Sequence, residues 1–147
     1  MSITGSGLYG LSLEKALIDT LGESWEAEDN RVLMVTDTYT PDFNAHDFYA
    51  DITNEVTGTG YTAGGELLTT TEITLSGGVL TFDAADVAWT TSTIANAMAG
   101  VLKTTVSGSA TDQLILLSDF VTAASSSGGT FTIQWSASGI ATVDYVP

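Results

Sequence analysis

The sequence predicts a mainly β protein, a β-sandwich or jelly-roll-like barrel of about seven or eight strands with one short N-terminal helix. Two observations predict this fold class. The chain is rich in threonine, serine and glycine but has only 2 prolines, and threonine favours strands whereas glycine and serine favour turns. Short segments of alternating apolar and polar residues are also separated by such turn residues. The 147 residues contain no visible linker, so residues 1–147 are predicted to form a single domain.

The charge balance excludes several classes of function. The chain has 18 acidic residues against 3 basic ones, which gives a formal net charge of −15. Lys15, Arg31 and Lys103 are too few to form a basic surface, so no nucleic-acid partner and no membrane partner is expected. No apolar run approaches the roughly 20 residues that span a bilayer, and residues 1–5 show no secretory signal. Because the chain has no cysteine, disulfides and thiolate chemistry are excluded.

The N-terminal region is predicted to contain a candidate extended arm at residues 1–10 and a short helix at residues 12–21. Ser12 is the expected N-cap, because its hydroxyl can accept a hydrogen bond from a free amide of the first turn. Gly22 is expected to end the helix in the left-handed conformation. The residues that form the apolar stripe of this helix are Leu13, Ala16, Leu17 and Leu21.

Short strands follow the helix. Arg31–Thr36 is apolar on both faces, which predicts a central strand, and residues 37–50 form a loop. Residues 67–75 alternate between apolar and polar side chains. Ser76, Gly77 and Gly78 then predict a turn into a strand at residues 79–82, and hence a hairpin.

The second half of the chain predicts three further strands and one ambiguous segment. The strands are expected at residues 113–120, 130–135 and 139–145, with a flexible turn at residues 125–129. The ambiguous segment runs from Ser92 to Lys103. Its apolar residues recur at helical spacing, which slightly favours a helix, and they also fit a strand buried on both faces. The residues leave both alternatives open.

The candidate catalytic and metal-binding residues are few. His46 is the only histidine, and no nucleophile motif or second metal-binding histidine accompanies it, so we interpret it as a loop residue. Asp37, Asp42, Asp47 and Asp51 form a weak calcium candidate, because carboxylate oxygens are calcium ligands. Their order lacks the spacing of a known calcium loop, and a solvated acidic loop is the alternative interpretation.

Other patterns also fail to support an enzyme. The glycine-rich residues 58–65 lack the lysine of a phosphate-binding loop, so we expect a turn from which Tyr61 packs onto the sheet. The glutamates near the helix have no apolar frame that would suit glycoside hydrolysis. Trp89 and Trp135 alternate with apolar neighbours and are interpreted as core residues. The sequence predicts no enzyme activity and no cofactor. The glutamates in question are Glu14, Glu23, Glu26 and Glu28.

Several segments, taken in order, resemble a family of small acidic virion structural proteins encoded by tailed bacteriophages and prophages. The resemblance extends from about Tyr9 to Ile140, and its most specific part is residues 54–65. The other segments are Tyr9-Gly10-Leu11, residues 32–36, Tyr39-Thr40-Pro41-Asp42, His46-Asp47-Phe48, residues 82–89, residues 129–135 and Gly139-Ile140.

The resemblance implies a virion structural protein with no catalytic site, and it implies a strand at residues 92–103. Within the virion it is most similar to head decoration, or cement, proteins that stabilise the particle by protein–protein packing. The implied partners are the major capsid protein or other virion proteins and further copies of the chain, assembled in the cytoplasm of a bacterial host. A tail- or connector-associated role and a receptor- or glycan-binding β-sandwich are the alternatives. The glycan-binding module would use exposed tyrosines and tryptophans, and Tyr39 and Tyr61 are the residues whose substitution would test it.

Overall fold

A computed structural model describes residues 3–18, 24–105 and 109–146. These residues form nine strands, one α-helix and two short 3₁₀ helices, so the predicted mainly β class is confirmed. No helix in these ranges is long and apolar enough to cross a membrane. The elements are β1 (Gly7–Leu8), α1 (Gly10–Leu17), β2 (Arg31–Thr36), β3 (Gly58–Thr59), β4 (Glu66–Leu67), β5 (Glu72–Ser76), β6 (Val79–Asp83), β7 (Val87–Lys103), β8 (Leu114–Ile133) and β9 (Ala141–Asp144), with 3₁₀ helices at Tyr49–Asp51 and Ser109–Thr111.

The strands form two antiparallel sheets that share a hydrophobic core. The larger sheet has six strands in the order β1-β8-β7-β2-β4, with β3 paired to β7, and the smaller one has the order β5-β6-β9. Phe82 of the smaller sheet lies in the same apolar cluster as Trp89 and Ile133 of the larger sheet. The arrangement is therefore sandwich-like, as predicted, because each sheet buries an apolar face against the other.

Strand β2 is buried on both faces, as its sequence predicts. Val32 and Met34 face the sandwich core between the two sheets. Leu33 and Val35 face a second core, which is completed by the N-terminal segment and the loop that follows β2. The alternation follows from the period of two in a strand. The second core includes Ile3, Tyr9 and Tyr39, each fully buried.

Strands β7 and β8 form one long ribbon within the larger sheet. Their pairing extends from Val87 opposite Ile133 to Lys103 opposite Leu114, and five register shifts interrupt it. At Gly100, the position of a Cβ atom lies 3.4 Å from the side chain of Ile133 and 3.5 Å from that of Phe120. The two halves of the ribbon therefore pack against each other, because bulges bend paired strands at the corners of a sandwich.

The bulges explain why two segments were hard to interpret from sequence. Residues 92–103 lie within β7, so the helical alternative is wrong and the strand implied by the resemblance is correct. Asn96 adopts a φ of 55° at a register shift between Ile94 and Ala97, which face the same core. The extra residue makes the apolar spacing three instead of two, and this spacing imitates a helix.

The predicted turn at residues 125–129 is also wrong, because these residues lie inside β8. Gly128 has a φ of 66° and lies at a register shift between the pairs Ser92–Gly129 and Ile94–Ser126. The hydroxyl of Ser126 accepts a hydrogen bond from the amide of Ile94 at 3.2 Å. Turn-forming residues here shape a bulge that remains paired to β7.

The helix begins and ends earlier than residues 12–21. Tyr9 is the N-cap residue and supplies no side-chain cap, whereas Ser12 lies inside the helix. The amide of Gly10 donates to the carbonyl of Phe43 at 2.8 Å, and the amide of Tyr9 donates to that of Ile115 at 3.0 Å. Tertiary bonds therefore fix the first turn, and no hydroxyl cap is needed. Leu21 and Gly22 lie outside the described residues.

Two other segments depart from the simple prediction. The candidate arm is part of the fold from Ile3 onwards, since Gly7 and Leu8 pair with Leu117 and Leu116 of β8. The alternating residues 67–75 are divided between β4 and β5. The division occurs because Leu68 is fully buried while Leu67 is 41% exposed, so the inward face changes after β4.

Substituting Gly65 by alanine is expected to destabilise the protein more than substituting its neighbour Gly64. Both residues have positive φ, but a Cβ at Gly65 would lie 2.0 Å from the carbonyl oxygen of Val32, and one at Gly64 would have no atom within 4 Å. Gly64→Ala should cost about 1–2 kcal/mol for the left-handed conformation, and Gly65→Ala about 2 kcal/mol more. Urea denaturation of both variants measures the difference, and equal losses would contradict the close approach of Gly65 to β2.

Candidate functional site

His46 accepts hydrogen bonds at the end of a chain of buried hydroxyls. Its Nδ1 lies 2.9 Å from the hydroxyl of Tyr39, which lies 2.9 Å from the hydroxyl of Tyr9. The amide of Asp42 donates to the same Nδ1 at 3.3 Å, so this nitrogen acts as an acceptor. Burial raises the pKa of both tyrosines. This arrangement links the loop to the second core and presents no activated nucleophile.

The four aspartates of the calcium hypothesis are not brought together around one site. Asp42 accepts from the amides of Asn44 and Ala45, and Asp47 forms an ion pair with Lys15. In the ranges that the structure describes, no three His, Asp or Glu side chains are placed to hold a metal ion. Asp37, Asp42, Asp47 and Asp51 therefore form no common coordination site.

Asp51 has a structural role that its position in the loop explains. Its carboxylate accepts hydrogen bonds from the amides of Asp47 and Phe48, both at 2.9 Å. These bonds favour the charged form and hold the pKa of Asp51 below its usual range. The carboxylate thus stabilises the start of the 3₁₀ helix Tyr49–Asp51.

Glu55 organises the glycine-rich loop, a role that was not predicted from the sequence. Its carboxylate accepts from the hydroxyl of Tyr49 at 2.5 Å, from the hydroxyl of Tyr61 at 2.6 Å and from the amide of Gly64 at 2.7 Å. The hydroxyl of Tyr61 in turn accepts from the amide of Met34 at 3.1 Å. A carboxylate at the centre of this loop would repel a phosphate. The sequence signal that could have indicated this role is the pair Tyr49 and Tyr61, each six residues from Glu55.

Tyr61 packs onto the sheet, as expected from sequence. Its ring stacks on Trp89 with the centroids 6.0 Å apart. Burial is the largest cause of its raised pKa, and its hydrogen bond to Glu55 is the second. The same two causes raise the pKa of Tyr49. Trp89 is only 1% exposed, which confirms it as a core residue.

The other aromatic side chains provide little exposed surface for stacking on a sugar. Trp135 is half-buried, and its indole N–H donates to the carbonyl of Ala85 at 3.1 Å. Trp25 packs on Phe82. Of the three tryptophans and five tyrosines, only Tyr145 is exposed, and the others are buried or half-buried.

The three cations of the chain all have partners within it. Lys103 and Asp112 form an ion pair in which each side chain is only 3% exposed. Lys15 pairs with Asp47, and the guanidinium of Arg31 donates to the carbonyl of Gly65 at 2.8 Å. These contacts leave the described surface without a cluster of unpaired cations.

The ribbon carries a long charge-free surface. No Asp, Glu, Lys or Arg occurs in residues 87–102 or 120–143. In the described part of the chain, β1 is the only strand besides β7 that pairs with β8, and it reaches only Leu116 and Leu117. The outer side of residues 120–133, which carries no charged side chain, therefore has no strand partner there. We call this unpaired side the β8 edge.

A groove lies along the β8 edge where the two halves of the strand approach each other. Its volume is about 330 Å³, and it is lined by residues 118–120, 124 and 131–135. The rings of Phe120 and Phe131 lie 6.5 Å apart in this region. Natural edge strands are usually protected by lysine, proline, inward-pointing charges or bulges, and this edge has only bulges. The open backbone and apolar groove make it the best candidate for a binding surface.

Comparisons with protein-family models, curated proteins and solved structures find no match to this chain.

The tyrosines provide a pH-dependent test of the buried hydroxyl networks. Tyr9, Tyr39, Tyr49 and Tyr61 have raised pKa values in the folded protein, whereas a tyrosine in the unfolded chain has a pKa of about 10. The associated stability is fully present below that pH and is lost as the pH rises above it towards the folded pKa values. Tyrosinate absorbance should show these four side chains ionising only as the protein unfolds. Reversible ionisation of all five tyrosines near pH 10 with the fold intact would contradict the burial.

The hydrogen bonds around Glu55 predict that two tyrosine-to-phenylalanine substitutions will change the free energy of unfolding by different amounts. Tyr61→Phe removes an acceptor from the buried amide of Met34 and a donor to Glu55, so it should lower the free energy of unfolding by about 1–3 kcal/mol. Tyr145→Phe, at a side chain that is 55% exposed, is the matched control and should change it by less than about 0.5 kcal/mol. Denaturant titration measures both, and equal effects would refute a structural role for the network.

Proposed function

We propose that this chain is a structural protein of a tailed-bacteriophage virion, of the head decoration or cement type. The observation that carries the proposal is the β8 edge, a charge-free strand edge without a partner in a chain of net charge −15. Exposed edges with few charges favour association with another protein through backbone hydrogen bonds. The sequence resemblance to virion structural proteins supplies the biological setting.

The placement of the reactive side chains also supports an assembly protein. The Nδ1 of His46 and the carboxylate of Glu55 are occupied by hydrogen bonds within the chain, and Lys103 is held in a buried ion pair. An enzyme would need comparable groups facing a cleft where a substrate can bind. Here the groove along the β8 edge is lined by apolar and uncharged polar side chains and by one carboxylate, that of Asp119, which accepts a hydrogen bond from the amide of Val121.

The acidic residues outside the ribbon suit a protein on the outside of a particle. Their negative charge would repel released DNA and other virions at low ionic strength. Zero cysteines allow the protein to fold and assemble in a reducing bacterial cytoplasm. The major capsid protein is the proposed partner on the particle, and a tail or connector protein is the alternative.

Cosedimentation with virus particles tests the proposal. Purified protein is mixed with undecorated heads, and separately with tails, from the phage or prophage that encodes the chain. We expect saturable binding to heads and greater resistance of the decorated heads to heat. Fully decorated heads are the control and should bind no more. Absence of binding to either particle at all salt concentrations would overturn the proposal, and binding only to tails would replace decoration by the tail-associated role.

A glycan array separates the proposal from the rival binding module. Tyr39 is fully buried and Tyr61 is tied to Glu55, so we expect no specific glycan binding through them. Saturable binding to a defined glycan, together with no binding to heads, would favour the receptor-binding alternative.

A further inference from the structure

We propose that a second copy of this chain pairs with the distal part of the β8 edge, residues 125–133, in antiparallel orientation. Pairing would extend the six-stranded sheet of one protomer into that of its partner. The inference rests on the proposed function in one respect, since both take the β8 edge to be an assembly surface. It adds the identity of the molecule that occupies this edge.

The backbone of the distal edge is suited to strand addition. Residues 129–133 pair with β7 beyond the bulge at Gly128, and Phe131 and Ile133 point into the core while Thr130 and Thr132 are exposed. This alternation fixes which side chains of the strand face solvent. It therefore limits the register that an added strand can adopt. Five residues in extended conformation span about 17 Å, which is the length of an ordinary strand.

Symmetry favours a second copy as the occupant. An antiparallel pair formed by two identical edges places each strand in the same environment, because a two-fold axis relates them. The interface needs no surface other than the edge itself. Serine, glycine and threonine at residues 125–130 are small enough to let two sheets approach closely.

Charge also selects this occupant. Two molecules of net charge −15 repel each other wherever acidic surfaces meet, so a self-interface must lie where charge is absent. The nearest acidic residues in sequence are Asp119 and Asp144, on either side of the charge-free residues 120–143. The carboxylate of Asp86 accepts a hydrogen bond from the amide of Trp135, beyond the end of the paired segment. A basic partner protein would instead be attracted to the acidic loops. A charge-free edge would give such a partner no electrostatic preference.

Sedimentation velocity of the purified full-length protein tests this pairing. The wild-type protein should form a dimer as its concentration rises. Thr130→Asp places a carboxylate on both copies within the short paired segment, where like charges oppose pairing, and should weaken dimerisation at least tenfold. Thr74→Asp adds the same charge at an exposed threonine of β5 and is the matched control with unchanged dimerisation. A monomeric wild type at all concentrations, or equal weakening by both variants, would overturn the proposal.

Salt dependence and hydrogen exchange provide readouts that need no variant. Raising the salt concentration should strengthen the dimer, because screening reduces the repulsion between two acidic molecules. The outward amides of residues 125–133 should become protected from exchange as the protein concentration rises, while those of β5 should not change. Dimers that weaken with salt, or that leave this edge unprotected, would overturn the assignment of the interface.

The failure of this pairing can be separated from failure of the virion proposal. Dimers that pair through the β8 edge but bind neither heads nor tails would support the pairing and overturn the proposed function. A wild-type monomer that saturates heads would overturn the pairing and support the proposed function. The two measurements therefore give independent outcomes.

Discussion

The pairing of β7 with β8 is the interaction on which the rest of the fold depends. The two strands supply residues to the sandwich core and to the second core. They also support β1, β2 and β3, each of which pairs with one of them. Because the ribbon bends at its bulges, one continuous pair of strands lines both cores. The core and the open β8 edge are therefore two consequences of the same bent ribbon.

The sequence predicted those parts of the fold in which each residue follows the ordinary period of its element. Arg31–Thr36, the hairpin of β5 and β6, and the alternation from Thr130 to Ile133 are of this kind. The errors occurred where long-range contacts decide local structure. Asn96 and Gly128 mark bulges that no local pattern distinguishes from a helix or a turn, and the helix start is fixed by the carbonyl of Phe43, more than thirty residues away.

The candidate site was predictable in its composition but not in its geometry. The absence of charge in residues 120–143 is visible in the sequence, whereas the unpaired side of β8 depends on the order of strands in the sheet. Glu55 shows a similar limit, since its three donors come from Tyr49, Tyr61 and Gly64 on separate turns. The roles of Lys15, Arg31 and Lys103 were predicted only as an absence of basic surface, and their partners emerge from the fold.

The irregular spacing of the bulges has a consequence for how the chain finds its folded state. A uniform pair of long strands could slide by two residues and still present apolar side chains to the core, which would create competing pairings of similar energy. In β7 and β8 the interruptions near Thr91, Asn96, Val121 and Gly128 occur at unequal intervals, so a shifted alignment would mismatch several of them at once. The residues that obscure the pattern in the sequence therefore favour one register of the two strands. Pairing that proceeds from the Lys103–Leu114 end then leads to that register.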